Sequence, residues 1–297
     1  MRELDLSYQQ ALPVLPFQAE RLHILVVGLG GTGSFLARHV ACLISLLVAA
    51  GKKATLTFID PDKVESVNLP RQHFCPAEIG RYKAETLAMR YAQAFGIEIA
   101  CIPERFSPEM VHGEWRSLTI LVGCVDNAAA RVAMGQVLSA NEPLAASQGS
   151  RVPHLWWLDL GNGLDFGQVL LGSTASVEAL ASAFAISGLP CCSLLPSPLL
   201  QEPGLRKPRP EEQEGHSLSC AQLLAASAQA MTINAAMADE GADYLYRLLI
   251  TGDLRKFATY LDLPSGTKKS HYTTPETLAK VIGRDPSFFL PSSASPV

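Results

Sequence analysis

The sequence predicts an α/β fold: a doubly wound, mainly parallel sheet with an antiparallel extension in its second half. Three observations carry this. Apolar runs of strand length stand at Leu22–Gly28, Ala54–Asp60 and Thr119–Val125, as expected of strands buried on both faces. Helical stretches separate them, and strands alternating with helices build a parallel sheet. A glycine-rich turn, Gly28-Leu29-Gly30-Gly31-Thr32-Gly33-Ser34, joins the first run to the first helix.

Taken in order, residues 1–20 form a leader without a clear period. Leu22–Gly28 is the first strand, stopped by glycine, and a helix follows over about Thr32–Ala50. Ala54–Asp60 is the second strand, Arg81–Phe95 a helix, and Ile97–Ile102 a short strand. Thr119–Val125 is a further buried strand, with a helix over Asn127–Ala140. His154–Leu160 and Phe166–Leu171 read as strands of a meander around Gly161-Asn162-Gly163. Residues 201–217 are rich in proline and charge and read as an exposed, mobile crossing segment. Cys220–Ile250 is a long Ala/Leu-rich helical region with a break expected near Gly241, and 291–297 a disordered tail. Residues 21–290 are therefore read as a single domain, with halves 21–150 and 151–290.

Composition narrows the function. The 297 residues are 48% apolar and 18% charged, with net charge −4, which excludes a disordered chain and argues against a nucleic-acid coat. The longest apolar run, Val40–Ala50, is about half the ~20 residues that span a bilayer. Seven cysteines, scattered and without a CxxC pair, fit reduced thiols and a cytoplasmic protein, and no four-thiolate zinc site is readable.

The turn Gly28–Ser34 contains G-x-G-x-x-G between a strand and a helix, the context of a Rossmann-like nucleotide site. Glycines let the backbone approach a phosphate, and the helix N-terminus offers N–H groups and partial positive charge. The motif alone does not choose between a dinucleotide and ATP. Asp60, ending the second strand, is placed to accept hydrogen bonds from ribose hydroxyls. The polar stretch after it carries Asp62, Asn68, Arg71 and Gln72, and Lys83 opens the next helix. Arginine is a rigid fork for phosphate oxygens, and Asn or Gln a neutral donor. Read alone, Lys83 is an ordinary surface lysine. Asp126 ends the Thr119–Val125 strand, with Asn127 next and Arg131 one turn on. A carboxylate there holds Mg²⁺ between phosphates, or simply caps the helix.

Together, Gly28-x-Gly30-Gly31-x-Gly33-Ser34, Asp60-x-Asp62, Asn68-x-x-Arg71-Gln72, Lys83 and Asp126-Asn127-x-x-x-Arg131 resemble the ThiF/MoeB family of ubiquitin-activating-type adenylating enzymes. Order and spacing match over about Leu22–Gly149, with a weaker echo to Leu249. The segment Gly167–Gly172 and the Ser219-Cys220 region are similar to the ThiF-like proteins of PRTRC gene cassettes.

The resemblance implies an enzyme that uses ATP and Mg²⁺ to adenylate the C-terminal glycine carboxylate of a small ubiquitin-like or sulfur-carrier protein. By motif, Gly28, Gly30, Gly31 and Gly33 form the phosphate loop, and Asp60 and Asp62 belong to the nucleotide site, Asp60 on the ribose. Asn68, Arg71, Gln72 and Lys83 position the triphosphate, Asp126 holds the metal, and Asn127 stands beside it. The 151–290 half becomes the carrier-binding half. The family also implies a homodimer.

Two departures stand out. The family often supplies an arginine from the partner subunit's leader in a tyrosine-x-arginine-glutamine setting. Here the leader reads Tyr8-Gln9-Gln10, and neither Arg2 nor Arg21 matches. The paired CxxC zinc motifs are absent, Cys191-Cys192 being adjacent, so no structural zinc is expected. Relatives pass the activated acyl group to a cysteine. Cys220, at a helix head after the proline-rich segment, stands near that position, where the helix end lowers a thiol's pKa. Cys192 is its rival, and Cys42, Cys101 and Cys124 are read as core. Two other functions remain open: an NAD-dependent oxidoreductase, which has no use for Asn68, Arg71, Gln72 and Lys83, and a non-catalytic nucleotide-binding relative.

Overall fold

The structure is a computed structural model. It describes residues 7–16, 18–111, 116–147, 152–184, 189–208 and 220–291, the side chains of 142–147 and 220–231 excepted. The expected tail, all but its first residue, and the crossing segment from 209 onward lie outside the described residues.

Five parallel strands form the first part of the sheet: β1 (Arg21–Val27), β2 (Lys53–Ile59), β3 (Ile99–Ile102), β4 (Ser117–Gly123) and β5 (Leu155–Asn162). β6 (Phe166–Gly172), β7 (Lys256–Asp262) and β8 (Thr267–Tyr272) extend it antiparallel. The order across the sheet is β3-β2-β1-β4-β5-β6-β7-β8. The helices are α1 (Ser7–Gln10), α2 (Gly31–Ala49), α3 (Lys83–Phe95), α4 (Ala128–Ser147), α5 (Pro198–Gln201), α6 (Cys220–Tyr246) and α7 (Pro275–Ile282).

Both faces of the central parallel strands β4 and β5 are covered, which is why they read as unbroken apolar runs. Every residue of β4 is buried. Its Ile120 and Val122 pack with Leu36 and Val40 of α2, Leu87 of α3 and Met237 of α6. Leu121 faces the opposite layer, with Met134 and Val137 of α4. Trp156 and Trp157, adjacent on β5 and fully buried, point one into each layer. By length and composition α2 is apolar enough to cross a membrane, yet about half of it, 56%, is buried within the protein.

Four expectations are revised. α6 runs unbroken through Gly241, because a Cβ there would come within 2.4 Å of Leu160, so the glycine serves helix-to-sheet packing. The helix gives way to a π turn only at Arg247–Thr251. The crossing segment is anchored at its start: Gln201 is buried, and its Nε2 donates to Leu171 O at 2.8 Å and Pro196 O at 2.7 Å. Cys101 is exposed rather than core, since β3 is a four-residue edge strand. The leader is stitched down near its middle. Leu12 N–H donates to Thr273 O (3.0 Å), Val14 N–H to Leu254 O (2.8 Å) and Leu15 N–H to Cys192 O (2.9 Å).

Candidate functional site

The site forms where strand order reverses between β1 and β4, the place where doubly wound sheets bind ligands. Val27 is in register with Ile59 on one side and Gly123 on the other, so Gly28, Asp60 and Cys124 emerge side by side. The glycines of the turn are there for room. Gly28 has φ +85°, and a Cβ on Gly33 would stand 1.9 Å from Gly28 O. Only glycine lets α2 close so tightly on the loop. No side chain caps the N-terminus of α2, which leaves its leading N–H groups for an anion.

Asp60 is 4% exposed. Its Oδ2 accepts the Leu29 N–H at 2.5 Å and its Oδ1 accepts the Asp62 N–H at 2.8 Å. Burial pushes its carboxyl above the usual aspartate range, and the two N–H bonds and the Lys83 charge offset this only in part. Lys83 opens α3 and is 5% exposed; its Nζ reaches the exposed Asp62 Oδ2 at 3.1 Å. This lysine is not the plain surface residue it seems when read alone.

Asn68 shapes the next segment. Its Oδ1 accepts the Glu65 N–H at 2.9 Å, and its carbonyl accepts the N–H groups of Arg71 (3.1 Å) and Gln72 (2.9 Å). The tight turn presents both side chains. Gln72 is buried, and its Oε1 is sealed from solvent without a hydrogen-bond partner among the described residues. Its Nε2 lies 3.7 Å from where a Cβ on Gly30 would stand. No hydrogen bond or ion pair joins the half-buried Arg71 guanidinium to another described residue. The unpartnered Gln72 atom is an acceptor, so what it lacks is a donor group, not a phosphate oxygen.

Asp126 is exposed at the end of β4 and does not cap the helix. That role falls to Asn127, whose Oδ1 accepts the Ala130 N–H at 2.9 Å. Arg131, the last residue of the Asp126-Asn127-x-x-x-Arg131 motif, turns inward. Its Nε donates to both oxygens of the fully buried Asp159 at 3.1 and 3.2 Å, and its Nη2 to Val125 O at 2.6 Å. The pair therefore fixes the peptide just before Asp126. Among the described residues no three His, Cys, Asp or Glu side chains cluster as a metal site. Magnesium between phosphates needs only one or two carboxylates, the remaining positions going to phosphates and water, and Asp126 fits that demand.

The thiols separate by burial. Cys192 is fully buried and its thiol is pushed up to about 12 by burial, which removes it as a nucleophile. Cys220 is the first residue of α6; its side chain lies outside the described residues, as does His216. Arg2 is also outside them, and Arg21 begins β1 at the far end from the loop.

Sequence reading missed Asn162, Asp159 and Asn234. The Asn234 amide is 3% exposed and donates from Nδ2 to Arg71 O at 3.1 Å. Its one signal in the sequence is an amide amid the apolar stretch from Ile233 to Ala238.

Comparison with known proteins follows the same lines. The profile of the ThiF family matches residues 17–258. No protein with a curated description matches the sequence significantly. PaaA, in selenomethionine form, is similar in fold at TM-score 0.50 and 16% identity, over 86% of this chain and 65% of PaaA. MccB of E. coli with ATP gives TM-score 0.51 and 14% identity, over 94% of this chain and 70% of MccB. MccB with AMPCPP and MccA gives TM-score 0.50 and 12% identity, over 84% and 63%. The chain thus spans a little under two thirds of PaaA.

Proposed function

Because this chain belongs to the ThiF family, we propose that it is an ATP-dependent adenylating enzyme. Its substrate is the C-terminal glycine carboxylate of a small ubiquitin-like or sulfur-carrier protein. The observation that carries this reading is the pair of donor groups at the loop mouth left without a partner among the described residues: the Arg71 guanidinium and the uncapped α2 N-terminus. They suit a polyanion larger than the single pyrophosphate of a dinucleotide. MccB, similar in fold, has been solved with ATP.

In this reading the Gly28–Gly33 backbone and the α2 N-terminus cradle phosphates, and Asp60 accepts from the ribose. Arg71 and Lys83 neutralise and orient the phosphates, with Gln72 and Asn68 as neutral contacts. Asp126 would hold Mg²⁺, whose contribution is to neutralise phosphate charge. Attack of a carboxylate on the α-phosphate brings two anions together, so the protein's work is positioning and charge stabilisation. The products are an acyl adenylate and pyrophosphate. The reading extends to transfer of the acyl group to Cys220.

The test is ATP–pyrophosphate exchange with candidate carrier proteins ending in glycine. Asp126→Ala is expected to lower exchange by about 10²–10³-fold, as loss of comparable charge-stabilising groups does. Equal exchange in both proteins removes Asp126 from the mechanism. Tighter binding of NAD than of MgATP in parallel calorimetric titrations would replace the reading with an oxidoreductase. Cys220→Ala should retain exchange and lose any thioester-linked carrier.

A further inference from the structure

Asn234 lies within α6, between Ile233 and Met237, which pack into the core. A buried amide on such a helix needs partners, and it finds them on three other elements. Nδ2 donates to the Arg71 carbonyl at 3.1 Å. Oδ1 accepts from Asn162 Nδ2 at 3.0 Å, at the end of β5. The Thr32 hydroxyl, in the first turn of α2, is shared between Asn162 Oδ1 at 2.9 Å and Asn234 Oδ1 at 3.4 Å. A Cβ on Gly31 would come within 2.5 Å of Asn234 Nδ2, so the amide lies flush against the phosphate loop.

We propose that Asn234 is a positioning residue: it fixes the Arg71 peptide relative to the phosphate loop, so that α6 sets the grip on the nucleotide's phosphates. The proposal rests on the nucleotide reading above and adds a residue to it. Arg71 sits on a turn, not on a strand or helix, and its guanidinium has no partner among the described residues to hold it. His73 tethers the other end of this turn, its N–H donating to Ser34 Oγ at 2.9 Å and its ring stacking on Phe35 of α2. Two tethers at either end hold the segment; loss of one frees Arg71 while the turn stays attached. Charged recognition depends on such fixed placement, because a guanidinium that must be ordered at each binding event loses affinity.

Two variants of the full chain test this. Asn234→Ala removes every contact. Asn234→Asp keeps the shape and the acceptor oxygen, but sets an oxygen against the Arg71 carbonyl. Calorimetric titration with MgATP and with adenosine reads the effect. Expected is a weakening of MgATP by about ten- to a hundredfold in both variants, from one or two lost hydrogen bonds, with adenosine unchanged. Wild-type MgATP affinity in the Asp variant, or a parallel loss of adenosine, overturns the proposal. Should the Ala variant fail to fold, hydrogen exchange on the isosteric Asp variant decides, because its new charge against the phosphate loop weakens MgATP by itself. Hydrogen exchange on the ligand-free chain gives a readout independent of nucleotide: protection over residues 69–73 should fall in Asn234→Asp, and unchanged protection overturns the proposal. Failure of the wild type to bind MgATP would instead defeat the function proposed above, and hydrogen exchange would still decide the role of Asn234.

Discussion

Replacing Asp159 by leucine strikes the candidate site at its most deeply buried charge. Arg131 is 2% exposed and Asp159 fully buried. The substitution removes both bonds from Arg131 Nε, leaving only the 2.6 Å bond from Nη2 to Val125 O. Removing one partner of a buried ion pair costs about 3–5 kcal/mol, because the other charge stays buried and uncompensated. At about 2 °C per kcal/mol, suited to a large domain, the melting temperature falls by about 6–10 °C. The double variant Arg131→Met, Asp159→Leu removes both charges, and replacing both by apolar groups is often nearly neutral. It should therefore melt above Asp159→Leu alone. Differential scanning calorimetry of the two variants and the wild type makes the comparison. MgATP titration adds a second reading: in the double variant Val125 O loses its restraint, so the carboxylate of Asp126 is less well placed and metal-dependent binding weakens. A single variant melting within about 1 °C of wild type, or a double variant melting lower still, refutes the reasoning.

Gly33→Ala should abolish MgATP binding and lower the melting temperature, since its Cβ would meet a backbone oxygen at 1.9 Å; wild-type titration and melting curves would count against the close-packed loop. Asp60 predicts a pH dependence. Its contact to ribose needs the carboxylate, and burial raises its pKa above the ordinary 3.8. Affinity is therefore full well above that raised value and is lost as pH falls through it, earlier than for a free aspartate. Asp60→Asn should flatten the profile, and titrations over acidic pH would show whether it does. Thiol alkylation of the native chain should label the exposed Cys75 and Cys101 and spare Cys192, which is buried and pushed up to about 12. Labelling of Cys192 at the rate of Cys75 would mean that the leader strand over it opens freely.

The parallel half was legible because burial on both faces writes strands as continuous apolar runs: β1, β2 and β4 stand within two residues of their expected ends. β7 and β8 were not, because β8 reads Thr-Lys-Lys-Ser-His-Tyr and no residue of it is fully buried. Its place in the sheet comes from pairing with β7, not from its own pattern. Cys101 misled for a related reason, since apolar neighbours on a short edge strand look like core. At the site, the family resemblance grouped Asp60, Arg71, Gln72 and Lys83, and the structure sets Asp60 on the Leu29 N–H and Gln72 beside Gly30. Asn234 was not, because its partners Arg71 and Thr32 lie 163 and 202 residues away. The Arg131–Asp159 pair was not legible either, because Asp159 is a single aspartate inside the run from Leu155 to Leu160.

The two unpaired opposite charges at the loop mouth set a physical requirement of their own. Arg71 and Asp126 have no ion-pair partner among the described residues, and are not paired with each other. Each is held by a buried anchor with no net charge to offer. The Arg71 peptide hangs on Asn234 and, through His73, on Ser34; the peptide before Asp126 hangs on Arg131, itself neutralised by Asp159. Lys83 is likewise occupied by Asp62. Both charges are thereby left without an ion-pair partner among the described residues, and the function proposed above would use both.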